Sequence, residues 1–107
     1  MSSLIYHIAE SQSWELQSPG GAYRHLSLET EGFIHCSQAD QVPGTLERFL
    51  PAADGLVLLE IDVEKLIPEL RHENGYPHIF GPLNVDAVVA VKPIAAVPGD
   101  SGITGVA

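Results

Sequence analysis

The sequence is poor in cysteine, in basic residues and in long apolar runs, and each shortage excludes a class of protein. Its single cysteine, Cys36, cannot form an internal disulfide, which indicates a reducing, cytoplasmic setting. Only 5 Lys and Arg stand against 14 Asp and Glu, and the formal net charge of −9 disfavours binding to extended nucleic acid or to a membrane surface. No apolar run approaches the roughly 20 residues that span a bilayer. The N-terminal residues lack the basic charge of a signal peptide. We therefore expect a cytoplasmic monomer that binds a small molecule or another protein.

The composition that remains is that of one globular domain. The chain has 107 residues, of which 45% are hydrophobic and 18% are charged. Residues 1–96 are predicted to form a single compact domain. Residues 97–107 are rich in Pro, Gly, Ala and Ser, and they are predicted to form a loose C-terminal tail.

Short strand patterns alternate irregularly with short helical patterns, which predicts an α+β fold. Residues 10–17 are predicted to be a helix, and a second helix is expected to begin at Ser37, since Ser37 to Asp40 has the Ser-x-x-acid form of a helix N-terminus. Asn74-Gly75 predicts a hairpin, with a loop made longer than two residues by Pro77. Strands are predicted at residues 4–8, 32–36, 56–62, 69–73, 78–80 and 87–91, the last of them buried.

Three histidines lie inside these predicted strands. His7 points away from Tyr6 on the first strand, and His35 and His78 occupy two later strands. A histidine in a strand is often only a hydrogen-bonded core residue. Three of them in so small a domain favour a shared polar pocket, and both interpretations stay open.

The segment that ends at Ser37 joins a predicted strand to a predicted helix. Free N–H groups at such a junction suit an anion such as a phosphate, and the alternative is that the Ser37 hydroxyl only caps the helix. Phe33 and Cys36 are expected to serve the core. A nucleophilic role for Cys36 is the less favoured alternative, because a cysteine in an apolar strand is usually inert.

The hairpin region concentrates further polar groups. Arg71 can bind a carboxylate or phosphate with its planar guanidinium, and Glu73 lies on the same face of the strand. The alternative is an exposed ion pair of little energetic value. Asn84 is equally suited to cap a turn or to contact a ligand. The sequence lacks HxH, HExxH and CxxC spacings, so no metal site is predicted.

Several of these segments together resemble the uncharacterised bacterial family catalogued as domain of unknown function 952. The likeness covers residues 4–94, in the order of the chain. The segments that carry it are Ile5-Tyr6-His7-Ile8, Gly32-Phe33-Ile34-His35-Cys36-Ser37, Ala39-Asp40-Gln41-Val42, Leu70-Arg71-His72-Glu73 and Pro77-His78-Ile79-Phe80-Gly81-Pro82-Leu83-Asn84.

The resemblance implies the fold of ADP-ribosyltransferases, a split and bent antiparallel sheet with two or three short helices around a nucleotide cleft. It implies that His7 contacts a ribose of NAD, as in the aromatic-His motif of that superfamily. The catalytic Glu that many transferases carry near a last strand is absent here, where Asn84 and Asp86 stand instead. Relatives that transfer phosphate from RNA to NAD work with His and Arg, so the missing Glu does not exclude NAD chemistry, and the identity of any cofactor stays open.

We therefore predict a pocket for a nucleotide-like, NAD-derived small molecule, with an ADP-ribosyltransferase-like transferase as the expected enzyme class. The predicted catalytic residues are His7, Arg71, Glu73 and His78. The predicted ligand-binding residues are Tyr6, Trp14, His35, Ser37, Phe80 and Asn84. The alternative is a noncatalytic ligand-sensing or protein-interaction module, which predicts an exposed apolar patch around Trp14 and Tyr23.

Overall fold

A computed structural model describes residues 3–48, 55–96 and 103–104. Its strands are β1 (Leu4–Glu10), β2 (Ala22–Tyr23), β3 (Ile34–His35), β4 (Leu56–Asp62), β5 (Glu69–Glu73), β6 (Tyr76–Phe80), β7 (Leu83–Asn84), β8 (Val88–Ala96) and β9 (Ile103–Thr104). The helices are α1 (Ser11–Gln17), α2 (Ser27–Thr30) and α3 (Val42–Glu47). Turns of 3-10 helix cover Ser18–Gly20, Ala39–Gln41, Val63–Lys65 and Val85–Ala87.

The strands form antiparallel sheets that meet at the edge of β1. A main sheet has the order β1-β4-β8-β9, a second sheet has the order β3-β6-β5, and β2 pairs with β7. Tyr6 and Ser37 join the first two sheets by two backbone hydrogen bonds, of 2.9 and 2.7 Å. The fold is therefore α+β with antiparallel sheets and short helices, as the sequence predicts.

Strands β1 and β4 of the main sheet are covered on both faces, which explains why β4 is a continuous apolar run. One face of β1 and β4 packs with residues of the second sheet, including Ile34 and Ile79, and with Tyr23. The opposite face packs against Val42 and Leu46 of α3. This double packing fixes β1 beside the second sheet, and His7 faces that sheet from β1.

The hairpin loop is shorter than predicted. Asn74 and Gly75 alone connect β5 to β6, with φ angles of 54° and 82°, and Pro77 lies within β6 opposite His72. In an antiparallel pair, the residues that flank a two-residue turn exchange hydrogen bonds and the next opposed pair does not. Pro77 therefore needs no N–H towards β5, and its carbonyl accepts a hydrogen bond from the Cys36 N–H at 3.0 Å.

Two other local predictions also needed correction. The turn after β3 begins at Ala39 and is capped by reciprocal bonds between Gln38 and Gln41, rather than by Ser37. The predicted buried strand of residues 87–91 alternates instead, because Val89 and Val91 are 47% and 41% exposed. Val89 and Val91 are two residues apart and therefore lie on the same face of β8, which is open to solvent at these positions.

The predicted tail, residues 97–107, lies outside the described residues except for Ile103–Thr104. These two residues form β9 and pair with Ala95 and Ala96. Within the described residues, no helix is long and apolar enough to cross a membrane.

Candidate functional site

A cavity of about 700 Å³ lies where β1 meets the second sheet. It is lined by parts of β1, of the loop and helix before β3, of β3 itself, of α3 and of the hairpin β5–β6. The lining residues are Tyr6, His7, Ile8, His25, Glu31, Phe33, His35, Cys36, Ser37, Thr45, Arg48, Glu73, Asn74, Tyr76 and His78. Four histidines therefore share one concavity.

His7 is buried in the wall of the cavity, with both ring nitrogens engaged. Its Nδ1–H donates to the carbonyl of His35 at 2.7 Å, and its Nε2 accepts from the Tyr23 hydroxyl at 3.1 Å. The carbonyl can only accept, which fixes the tautomer. Burial lowers the pKa of His7 to about 4, so the ring is neutral at pH 7. His7 thus supports the strand that carries His35 and has no free nitrogen to offer a ligand.

His78 has one engaged nitrogen and one free nitrogen. Its Nδ1–H donates to a carboxylate oxygen of Glu73 at 2.9 Å, and the ring of Phe33 stacks on it at a centroid distance of 4.0 Å. Its Nε2 has no hydrogen-bond partner among the described residues. Every fully buried polar side-chain atom of those residues does have a partner, so Nε2 must be accessible to solvent. A carboxylate-backed imidazole of this kind can take up and release a proton at Nε2.

His35 forms a second, more exposed pair. Its Nε2–H donates to a carboxylate oxygen of Glu31 at 2.9 Å, and the two side chains are about half exposed. His35 lies directly opposite His78 across β3 and β6, so both rings project from the same face of the sheet. Their centroids are 5.4 Å apart in an edge-to-face contact.

His25 is a cavity residue that the sequence analysis missed, because it lies in a loop and follows no strand pattern. Its ring is 5.4 Å from that of His7, and its Nδ1 accepts from the backbone N–H of Ser27 at 3.1 Å. Burial lowers the pKa of His25. Because Nδ1 accepts a hydrogen bond, the proton of the neutral ring is on Nε2.

Arg71 was the predicted site arginine, but the arginine that lines the cavity is Arg48. Arg71 is held by two hydrogen bonds to Glu69, at 2.8 and 3.1 Å, and its guanidinium lies 4.5 Å above the ring of Phe80. Neither Arg71 nor Phe80 is among the lining residues, whereas Arg48 at the end of α3 is. Alternation on β5 correctly groups Arg71 with Glu73 but cannot show that Glu69 competes for the guanidinium.

Asn84 and Trp14 also lie outside the cavity lining. The buried Asn84 amide donates to the Lys65 carbonyl and to Asp86, and its oxygen accepts from the Ile67 N–H. These bonds tie β7 to the preceding loop. Trp14 packs on the buried ring of Tyr23 at 5.9 Å.

The remaining predicted residues line the cavity. Tyr6 and Ser37 are at the junction of the sheets, and the Ser37 hydroxyl is hydrogen-bonded to that of Thr45 at 3.0 Å. Cys36 also lines it but is buried, and burial raises the pKa of its thiol, so the thiol stays protonated. Phe33 was expected in the core, but it precedes β3, which begins at Ile34, and its half-buried ring stacks on His78.

The described residues contain no group of three His, Cys, Asp or Glu side chains placed to hold a metal ion. Proton transfer and hydrogen bonding are the chemistry that the side chains offer. Aromatic faces and one arginine are available beside them.

Comparison with known proteins finds structural relatives but no curated protein that matches the chain. The crystal structure of protein CC0527 from Caulobacter crescentus has a TM-score of 0.76 at 25% identity, over 95% of this chain and 94% of that one. A double mutant of the same protein has a TM-score of 0.78 at 24% identity, and its solution NMR structure has 0.74 at 25%. Residues 8–91 match the family described as "Protein of unknown function (DUF952)". The chain belongs to this family.

Proposed function

We propose that the cavity binds a nucleotide-like small molecule and that the Glu73–His78 pair acts on it as a general acid or base. One observation carries the proposal: a free, carboxylate-backed imidazole nitrogen lies in a cavity that also contains aromatic rings and an arginine. Such convergence of a few polar groups in a concave site is typical of small-molecule sites.

The size and lining of the cavity suit one nucleotide. A volume of about 700 Å³ falls within the range of roughly 300–1,000 Å³ found for ligand pockets. Tyr76 and Phe33 offer ring faces on which a base can stack, and the Arg48 guanidinium can bind a phosphate through two parallel hydrogen bonds.

An NAD-derived ligand and an ADP-ribosyltransferase-like arrangement are the more specific form of the proposal. Two antiparallel sheets that meet beside Tyr6 and His7 support it, together with the sequence resemblance. In this form His7 shapes the wall beneath the ligand, since both its nitrogens are already engaged.

A thermal-shift series tests the binding proposal. AMP, ADP-ribose and NAD should each be titrated, because a ligand that binds only the folded state stabilises it by about 2.7 kcal/mol at 100 times its Kd. Arg48→Gln should weaken the shift, and Arg71→Gln, outside the cavity lining, should preserve it. The absence of a shift with every nucleotide would refute the proposal.

A protein-interaction role receives less support. It predicts an exposed apolar patch around Trp14 and Tyr23, but Tyr23 is 1% exposed and Trp14 packs against the core. A noncatalytic sensor is distinguished from an enzyme by a ligand that shifts the melting temperature and is recovered unchanged.

A further inference from the structure

The cavity contains two imidazole–carboxylate pairs. Glu73 backs His78, and Glu31 backs His35, each through a hydrogen bond of 2.9 Å. The two rings are in contact, with centroids 5.4 Å apart. In each ring one nitrogen is bound to a carboxylate, and the other has no partner among the described residues.

Because the carboxylates are engaged, the free proton-transfer groups of this part of the cavity are imidazole nitrogens. Cleavage of an N-glycosidic bond develops positive charge on the sugar and calls for a free carboxylate beside it. Phosphoryl chemistry instead requires one group that removes a proton from the attacking oxygen and another that protonates the leaving oxygen, on roughly opposite sides of phosphorus. Two neighbouring imidazoles can supply the base and the acid that phosphoryl chemistry requires.

We propose that His35 and His78 form an acid–base pair that hydrolyses a small cyclic phosphodiester of the nucleoside 2′,3′-cyclic phosphate class. This inference rests on the proposed nucleotide binding and deepens it. His35, the more exposed ring, removes a proton from water, whose oxygen forms a bond to phosphorus. The bond from phosphorus to one ribose oxygen breaks, and that oxygen takes the proton of His78.

The atoms balance without an oxidant or a second substrate. One water is consumed, the product is a nucleoside monophosphate, and the two rings exchange protonation states, which solvent then restores. Arg48 lines the same cavity, and its guanidinium supplies a positive charge that can offset the charge of the phosphorane-like transition state. Glu73 orients the ring of His78 through the Nδ1–H bond and leaves Nε2 for the proton transfer.

The choice of a cyclic mononucleotide follows from size and charge. The cavity has room for about one nucleotide. The net charge of −9 opposes a polyanionic RNA but much less a diester with a single negative charge. Opening a five-membered cyclic phosphate also relieves ring strain, so an acid and a base are sufficient assistance.

The test is incubation of the full chain with 2′,3′-cyclic AMP and separation of the products by chromatography. AMP isomers should form, and one oxygen of the product phosphate should come from ¹⁸O-labelled water. His35→Gln and His78→Gln should each lower kcat about 100- to 10,000-fold. His72→Gln is the matched control, since His72 lies on the same hairpin but not in the cavity lining, and it should keep the wild-type rate.

The pH profile separates a catalytic pair from two structural histidines. The wild-type kcat/KM should fall on both sides of a maximum, because one ring must be neutral and the other protonated. Each single variant should lose one side of this profile while it still shows a thermal shift with AMP.

Three outcomes would overturn the inference, and they differ in what else they refute. A thermal shift with AMP but no hydrolysis of 2′,3′-cyclic AMP would refute the acid–base pair and leave nucleotide binding intact. The absence of hydrolysis together with the absence of a shift with AMP, ADP-ribose and NAD would refute the binding proposal as well. Full activity in His35→Gln would also refute the pair.

Discussion

The ring of His7 shows how much of this site depends on one buried hydrogen-bonding residue. It bridges the His35 carbonyl and the Tyr23 hydroxyl, and therefore links β1 to β3 and to β2. The ring is only 4% exposed, and its neutral form satisfies both partners. Protonation would turn Nε2 into a second donor and leave the Tyr23 hydroxyl without its acceptor.

We predict that His7 makes the protein less stable as the pH falls from about 6.5 towards 4. Its pKa is about 4 in the folded chain against 6.5 in the unfolded chain, so the unfolded state binds more protons in this window. The loss between about pH 7.5 and pH 5 should be about 2 kcal/mol. Urea unfolding at both pH values measures it. His7→Gln, which keeps a donor and an acceptor, should show a smaller loss, and an equal loss would contradict the assignment.

The Tyr23 hydroxyl provides a second prediction. Burial raises the pKa of Tyr23, so the hydroxyl keeps its proton and donates it to His7. Tyr23→Phe leaves the buried Nε2 without a donor and should lower the free energy of unfolding by about 1–3 kcal/mol. Tyr76→Phe is the control, since its hydroxyl makes no hydrogen bond with any described residue, and it should change stability by less than about 0.5 kcal/mol. Equal effects in urea unfolding would contradict the role of Tyr23.

Individual site residues were predictable where they follow strand alternation. The sequence shows that His35 and His78 each lie inside a predicted strand. Their shared face follows from the register of β3 against β6, which strand patterns do not give. Arg48 and His25 were not predictable, because a helix end and a loop enter the cavity only through tertiary packing. The hydrogen bond between Glu69 and Arg71 was not predictable either, because it depends on the side-chain rotamers that the two residues adopt.

At the scale of secondary-structure elements, the hairpin β5–β6 brings Glu73 and His78 together. The turn Asn74-Gly75 is supported from outside by Gln41, whose amide donates to the Gly75 carbonyl at 2.8 Å. The Asn-Gly signal predicts this hairpin from sequence. The predicted loop was too long, because Pro77 lies within β6 at a position where β5 needs no N–H.

We predict that Gly75→Ala lowers the free energy of unfolding by about 1–2 kcal/mol, because its φ of 82° is costly for a residue with a Cβ. Gly44→Ala is a matched control, for which we expect the free energy of unfolding to rise instead of fall. Gly44 lies in α3 with open space around its missing Cβ, so alanine should stabilise the chain by up to about 1 kcal/mol. Thermal or urea unfolding distinguishes the two, and a neutral Gly75→Ala would contradict the turn geometry.

At the scale of the whole molecule, the sequence predicts the fold class but not how the sheets meet. The apolar run of β4 indicates a central strand, and the pattern of short strands indicates α+β. The junction of the two sheets rests on backbone bonds between Tyr6 and Ser37, which carry no side-chain signature. The cavity depends on that junction, which is why its outline could not be derived from residue patterns alone.

The net charge of −9 leads to a prediction for the whole molecule, because a compact chain with this excess of acidic groups repels itself. Salt screens that repulsion, so the melting temperature should rise as ionic strength increases from about 0.02 to 0.3 M. A gain of about 1 kcal/mol would appear as a shift of about 4–8 °C. Reversing the exposed Glu29 and Glu47 to Lys should reduce the salt effect, whereas Glu29→Asp with Glu47→Asp should preserve it. A salt effect that is unchanged by the reversal would show that self-repulsion is not its cause.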